Sequence, residues 1–348
     1  MLKRERLLAL AALSIASVTT TLAACGSSAS QRITAVSAST RARWTPAVRI
    51  NRVLDLGGPR TDGTIVLAAA KRLALLRPSG AVQPFATGAA GYVNPGGEEP
   101  YIALSAGERV AASSCSFAAG TLYVLRLHGV PGVTAVDARG VAHPFARLPA
   151  AGLESGIAFD TTGGFGGRLL VTATKGARTS VYAIDCAGAV STVTVSAPKV
   201  EGGIAVAPAS FGRFAGELIA PDENSGRIWA ISPGGRSSLL AGSGLAHGGD
   251  VGVESAGFAP VGFGRASSAL VADRRTPGNP HPGDDALLRI DGPALLAAGV
   301  RAGDLLVATE GGAQTDAIRC GVASCRVRHV ADGPRIAHLE GHIVFTGP

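Results

Sequence analysis

The sequence predicts an all-β fold, a six-bladed β-propeller, and three observations lead there. First, a short apolar strand follows a glutamate four times, at Glu99-Pro-Tyr-Ile-Ala, Glu154-Ser-Gly-Ile-Ala, Glu201-Gly-Gly-Ile-Ala and Glu254-Ser-Ala-Gly-Phe-Ala. These copies recur at intervals of roughly fifty residues, a spacing seen in propeller blades. Second, each copy is followed by further short strands separated by turns, giving four strands per repeat, the content of one blade. Third, 48 glycines and a charged fraction of 16% describe a chain that turns often and buries a large core.

The first 30 residues stand apart from that repeat. Lys3, Arg4 and Arg6 form a positive start, and Leu7 to Leu22 is an apolar run of secretory-signal length. Leu22-Ala23-Ala24-Cys25 then places small residues before a cysteine, the lipobox pattern. Residues 1–24 are therefore expected to be a lipoprotein signal peptide. Cys25 is the lipidation site, carrying diacylglycerol and acyl chains such as palmitate, and residues 25–47 are the lipidated cysteine with a flexible linker. The expected location is the extracytoplasmic face of the cell membrane, with membrane lipid as a partner through Cys25. No later stretch approaches the ~18 uninterrupted apolar residues of a bilayer span. The formal net charge of +7 falls by two when Lys3, Arg4, Arg6 and Glu5 leave with the signal. The remaining basic residues are scattered singly with few aromatics among them, which argues against a nucleic-acid partner.

Residues 48–348 make up the propeller. The second strands of the four clear units are Gly120-Thr-Leu-Tyr-Val, Gly167-Arg-Leu-Leu-Val, Gly216-Glu-Leu-Ile-Ala and Ser268-Ala-Leu-Val-Ala. The third strands are Thr134-Ala-Val-Asp, Val181-Tyr-Ala-Ile-Asp, Arg227-Ile-Trp-Ala-Ile and Ala286-Leu-Leu-Arg-Ile-Asp, and more polar fourth strands such as Ser191-Thr-Val-Thr-Val follow. Thr64-Ile-Val-Leu, Leu73-Ala-Leu-Leu and Val82-Gln-Pro-Phe supply a first blade. The last is assembled from Asp316-Ala-Ile-Arg, Arg326-Val-Arg-His, Arg335-Ile-Ala-His and His342-Ile-Val-Phe. The total is six, with seven blades the alternative, and Val48 to Leu56 is the candidate for closing the ring. A β-sandwich pair also suits many short strands, but it gives no reason for a glutamate to recur at equivalent strand starts. Asp291-Gly-Pro-Ala-Leu-Leu-Ala-Ala-Gly reads as one short helix, with Asp as cap and Pro in the first turn.

Four cysteines remain beyond Cys25, an even number in an exported chain, which favours disulfides. Cys115 precedes a second strand in one blade and Cys186 follows a third strand in the next, so the two lie on one face and can pair. Cys320 and Cys325 are close enough to close a small loop of their own.

The innermost strand of a blade lines the central channel, so Glu99, Glu154, Glu201 and Glu254 stand at the channel mouth. Converging like charges require raised pKa values, arginine partners or a bound hard cation. Structurally, each glutamate can also accept backbone N–H bonds from the adjoining blade. Asp222, Glu223, Asn224 and Asp273 follow second strands that return to the same mouth, where they either join a site or form turns. His338-Leu-Glu340-Gly-His342 alternates potential ligands and reads as surface histidines. His247-Gly-Gly-Asp250 and His281-Pro-Gly-Asp-Asp285 lie in loops over the same mouth.

With these residues in place, the domain resembles the NHL-repeat and gluconolactonase-like six-bladed propellers. Glu217-Leu-Ile-Ala-Pro-Asp-Glu-Asn-Ser-Gly-Arg-Ile-Trp-Ala-Ile-Ser-Pro-Gly-Gly is similar to the NHL repeat core. The resemblance implies Ca²⁺ or another divalent metal held at Glu99, Glu154, Glu201 and Glu254, with an acidic residue nearby opening a lactone. The family mixes Glu, Asn and Asp at those places, whereas all four here are Glu, more charge than one divalent cation neutralises. The expected function is therefore a ligand- or protein-binding module for a small molecule, carbohydrate or envelope protein. The alternative is a metal-dependent lactonase-like hydrolase.

Overall fold

The computed structural model describes residues 41–69, 71–93, 100–126, 130–149 and 152–347. Cys25, the signal segment and Glu99 lie outside the described residues. The strands assemble into an all-β propeller of four-stranded antiparallel arrays. The first is Val53–Gly57, Ile65–Ala69, Arg72–Leu76 and Val82–Phe85, and the second is Ile102–Leu104, Leu122–Arg126, Gly132–Val136 and Ala142–Arg147. The third is Leu153–Phe159, Leu169–Lys175, Arg178–Ile184 and Val190–Pro198, and the fourth is Ala205–Val206, Leu218–Asp222, Arg227–Ile231 and Ser237–Gly242. A nine-stranded sheet holds two more such arrays, joined through the single bridge between Ala256 and His342.

Burial explains why the inner strands read as continuous apolar runs. Ile65–Ala69 and Leu305–Thr309 are buried along their whole length, because arrays pack face to face and cover both sides of each strand. Val190–Pro198, on an outer edge, is mostly exposed or half-exposed and correspondingly rich in Ser and Thr. Among the described residues, apolar clusters fill the spaces between neighbouring arrays. Tyr101, Tyr123, Phe159 and Val171 belong to the cluster between the second and third.

The fifth and sixth arrays correct the sequence assignment. Val253–Phe258 does not pair with Ser268–Asp273; it pairs with Leu305–Thr309, followed by Thr315–Cys320 and Cys325–Asp332. Ser268–Asp273 and Ala286–Asp291 instead join the C-terminal strand Leu339–Thr346 and the N-terminal strand Thr45–Arg49. Arg335-Ile-Ala-His is not a strand, though His338 makes an isolated bridge to Gly311. The local pattern was insufficient because both candidate second strands are apolar runs ending at an acid, Asp273 or Glu310. The segments 259–267 and 292–304 are long enough to carry the chain sideways to the next array and back.

Ring closure is also more specific than the sequence suggests. Val53–Gly57 is the innermost strand of the first array, while Thr45–Arg49 is the outermost strand of the sixth. Residues 42–47, compositionally part of the linker, pair with the propeller from Ala42 onward, because Ala42 and Trp44 are buried and Trp44 Nε1 donates to Thr315 Oγ1 at 2.7 Å. The helix expected after Asp291 is present at Gly292–Ala297.

Both expected disulfides form. Cys115–Cys186 joins the second and third arrays, and Cys320–Cys325 closes a hairpin in the fifth. Cys115–Cys186 links residues 71 apart, and a cross-link of that span stabilises mainly by restricting the unfolded chain. Replacing both cysteines by serine is expected to cost about 2–4 kcal/mol, read as a lower urea midpoint. Cys320→Ser with Cys325→Ser, which opens a much shorter loop, is expected to cost less.

Candidate functional site

The mouth of the channel where the innermost strands begin is built by local kinks. Strand register shifts at Val53/Asp55, at Glu154/Gly156 and at Val253/Ser255, so an extra residue interrupts the ladder and re-aims the side chain beside it. The glycines of the motif follow from crowding at the axis. A Cβ on Gly202, whose φ is +81°, would lie 2.3 Å from Glu254 Cγ, and one on Gly341, at φ +67°, would lie 2.2 Å from Asp55 Oδ1.

Among the described residues, Glu154, Glu201 and Glu254 do not share one group of ligand atoms. Glu154 is buried and accepts the Arg126 N–H of the preceding array at 3.1 Å, the role of a strand-to-strand tie. Burial pushes its carboxyl up to about 8, against the opposing effect of the backbone N–H groups of Arg126 and Gly132. Glu201 is half-buried, pairs with Lys199 at 3.6 Å, and is raised mainly by burial. Glu254 is 4% exposed and its Oε1 accepts the Tyr101 hydroxyl at 2.5 Å.

That hydroxyl leads to groups the sequence reading did not assemble. Tyr101 also lies 3.2 Å from Glu340 Oε2. Glu340 Oε1 takes Arg274 Nη1 at 2.9 Å and stands 3.4 Å from His338 Nε2, which in turn is 2.7 Å from Glu310 Oε1. Ligand atoms of Glu310, His338 and Glu340 lie within 4.8 Å of one another, and all three residues are buried. The reading of His338 as a surface histidine is therefore corrected: it is 2% exposed, because its backbone bridges Gly311 and donates to Asp273 just before the last strand.

The electrostatics follow from that packing. Burial alone would lower the pKa of His338, but hydrogen bonds to Glu310 and Glu340 outweigh it and push the value up to about 10. Glu310 is raised, first by burial. Burial acts to raise Glu340 too, but His338 and Arg274 overcome it and hold the carboxyl low. Glu223 accepts the Asp250 N–H at 2.6 Å, and burial, with Glu310 nearby, pushes it up to about 7. Asp273, 1% exposed, accepts the His338 N–H at 2.9 Å and is pushed up to about 6 by burial. Asp222 instead forms a turn, accepting from Asn224 N and the Ser225 hydroxyl.

Below the cluster the channel is plugged. Asp55, fully buried, accepts the N–H groups of Leu56, Ile102 and His342, which belong to three adjacent arrays, and holds His342 Nδ1 at 2.9 Å. On the far side lies an apolar cavity of about 430 Å³ lined by innermost strands of the arrays, with Phe159, Phe258 and Phe345 among its walls. His281 lines a pocket with Gly311 and Arg335, with Nδ1 2.6 Å from Arg335 O, while His247 is exposed.

Fold and site together define an all-β propeller with a buried ionic cluster at one channel mouth. Similar solved structures include a virginiamycin B lyase from Staphylococcus aureus, at 11% identity over 87% of this chain and 98% of that one, with a TM-score of 0.45. A calcium-binding regucalcin from Agrobacterium tumefaciens is 14% identical over 84% of this chain and 78% of its own, with a TM-score of 0.47. A gluconolactonase from Xanthomonas campestris is 13% identical over 86% of each chain, with a TM-score of 0.46. No protein-family model matches the sequence, and no curated protein does. At these identities the likeness carries nothing about activity.

Proposed function

We propose that this chain is an extracytoplasmic propeller, tethered through Cys25, that binds a ligand at the acidic channel mouth through a divalent cation. The observation that carries the reading is the buried Glu310–His338–Glu340 cluster. Carboxylates crowd this mouth, with Glu201 repelled by Glu340 and Glu223 by Glu310 beside the cluster. Exchanging the His338 proton for a divalent ion adds one positive charge and relieves that repulsion. An imidazole nitrogen among the donors suits Zn²⁺ or Mn²⁺ better than Ca²⁺, which takes oxygen ligands.

Because the imidazole must lose its proton to bind metal, uptake is expected to release about one proton per ion near neutral pH. Calorimetric titration of the chelator-treated protein with Zn²⁺, Mn²⁺ and Ca²⁺, repeated in two buffers of different ionisation enthalpy, measures both affinity and proton release. Glu310→Gln is expected to weaken binding at least tenfold. No binding by the unmodified protein would sink the reading.

One observation favours a hydrolytic variant of the same site. Glu223, at about 7, titrates in the range of a general base and stands beside Glu310. A bound divalent ion would polarise a carbonyl, and Glu223 would move the proton. Lactone hydrolysis that is lost in Glu223→Gln, with metal affinity retained, supports this variant; absence of turnover leaves binding alone.

A further inference from the structure

The crossing of the chain between the fifth and sixth arrays builds a second polar site, on the flank and away from the channel. One face of the hairpin Thr315–Cys320 and Cys325–Asp332 carries Ala317, Arg319, Arg326 and Arg328, since Arg319 stands directly opposite Arg326 and Ala317 opposite Arg328. Like charges directly opposite each other on an antiparallel pair are unfavourable. The other face gives Ile318 and Cys320 to the apolar core, so register fixes the arginines on their side.

The crossover segment then covers and orients them. Arg328 Nη1 donates to Ala298 O at 3.0 Å, and Arg319 Nη2 donates to Gly299 O at 3.3 Å. Asp304, whose side chain is 3% exposed, takes both Nε and Nη2 of Arg319 at 2.6 Å. Gly299 is required for this approach: its φ is +90°, and a Cβ there would lie 1.9 Å from Arg328 Nη1. The result is a pocket of about 310 Å³ lined by these groups with Gly321 and Ser324, its hairpin end pinned by Cys320–Cys325. Three guanidinium groups face one carboxylate, leaving two positive charges unmatched within it. Among the described residues the Arg326 side chain makes no hydrogen bond or ion pair, and Nη1 of Arg319 with Nε and Nη2 of Arg328 are also unspent.

We propose that this pocket binds a phosphate group, as a free phosphate compound or as the headgroup of an anionic lipid. Two excess charges match the dianion of inorganic phosphate or a phosphomonoester and more than cover the single charge of a lipid phosphodiester, and planar guanidinium forks bind phosphate oxygens in pairs. Two of the three forks are held in place by backbone carbonyls before any ligand arrives, which lowers the entropy cost of binding.

The test is calorimetric titration of the protein with inorganic phosphate at constant ionic strength, alongside vesicles of phosphatidylglycerol and of phosphatidylcholine. Saturable phosphate binding is expected, weakened at least tenfold in Arg326→Gln/Arg328→Gln and unchanged in Arg178→Gln, on the third array. If the double variant fails to fold, Arg326→Gln alone carries the test, because that side chain has no protein partner to lose. A preference for phosphatidylglycerol that the variant loses assigns the site to a lipid headgroup; phosphate binding without that preference assigns it to a free phosphate compound. No saturable binding, or equal binding by the double variant, would overturn the proposal. Because the pocket shares no residue with the channel cluster, either result is independent of the metal titration.

Discussion

Replacing His338 by alanine is expected to lower the stability of the folded chain by about 3–5 kcal/mol at pH 8. His338 is the cation between two buried carboxylates, 2.7 Å from Glu310 and 3.4 Å from Glu340. Without it Glu340 retains Arg274 and Tyr101, but Glu310 loses its hydrogen-bonded partner, and a buried charge left alone is the costly case. Two effects of pH oppose each other: proton uptake by Glu310, whose pKa burial already raises, reduces the loss at pH 5, whereas the stabilisation that His338 itself supplies is complete below about 6.5 and wanes as pH rises toward about 10. Urea unfolding at the two pH values measures both effects. His338→Gln, which restores an N–H donor without the charge, is expected to recover part of the loss at pH 5 and less at pH 8. Equal recovery by glutamine at both pH values would show that packing, rather than charge, explains the position.

The contrast among the glutamates shows where the sequence stops being informative. Repeat spacing, turn glycines and continuous apolar runs were sufficient for the first four arrays, the disulfides and the helix at 292–297, where the order of strands along the chain matches their order in each array. The destination of an individual carboxylate does not follow from them. Glu154 and Glu254 occupy equivalent motif positions, yet one ties an N–H of the adjoining array and the other takes the Tyr101 hydroxyl. The difference depends on which neighbour faces the bulge, and a single motif copy does not contain that neighbour.

A signal for the missed residues did exist. Leu339-Glu340-Gly341-His342-Ile343 is a further copy of Leu153-Glu154-Ser155-Gly156-Ile157, and Asp55 is a lone acid inside the apolar run Val53-Leu-Asp-Leu-Gly. The exchange of strands between the fifth and sixth arrays, by contrast, has no local signature, because apolar strands of the same length satisfy either partner. That exchange brings Asp273, Glu310 and His338 to one mouth from segments that the sequence order assigns to different blades.

Stability is expected to fall as pH rises from about 5 to 9, the reverse of a chain held by depressed carboxylates. Glu154 titrates at about 8, Glu223 at about 7 and Asp273 at about 6, each raised first by burial. Unfolded, such groups titrate near ~4. Between the unfolded and folded values the native state holds more protons, so the slope of unfolding free energy against pH is negative. His338 acts in the same direction over a higher window, from about 6.5 unfolded to about 10 folded. At the acid end the sign reverses, because carboxylates such as Asp137, held low by the Val141 and Arg139 N–H groups, lose their hydrogen bonds on protonation. A maximum near pH 5 follows. Glu154→Gln isolates the largest of the carboxylate shifts: the amide keeps an acceptor for the Arg126 N–H but has no charge to bury. It is expected to change stability little at pH 5 and to raise it on the order of 2–4 kcal/mol at pH 9. Urea midpoints of both proteins at pH 5, 7 and 9 decide this, and parallel profiles would mean that water or a counter-charge already relieves the buried carboxylate.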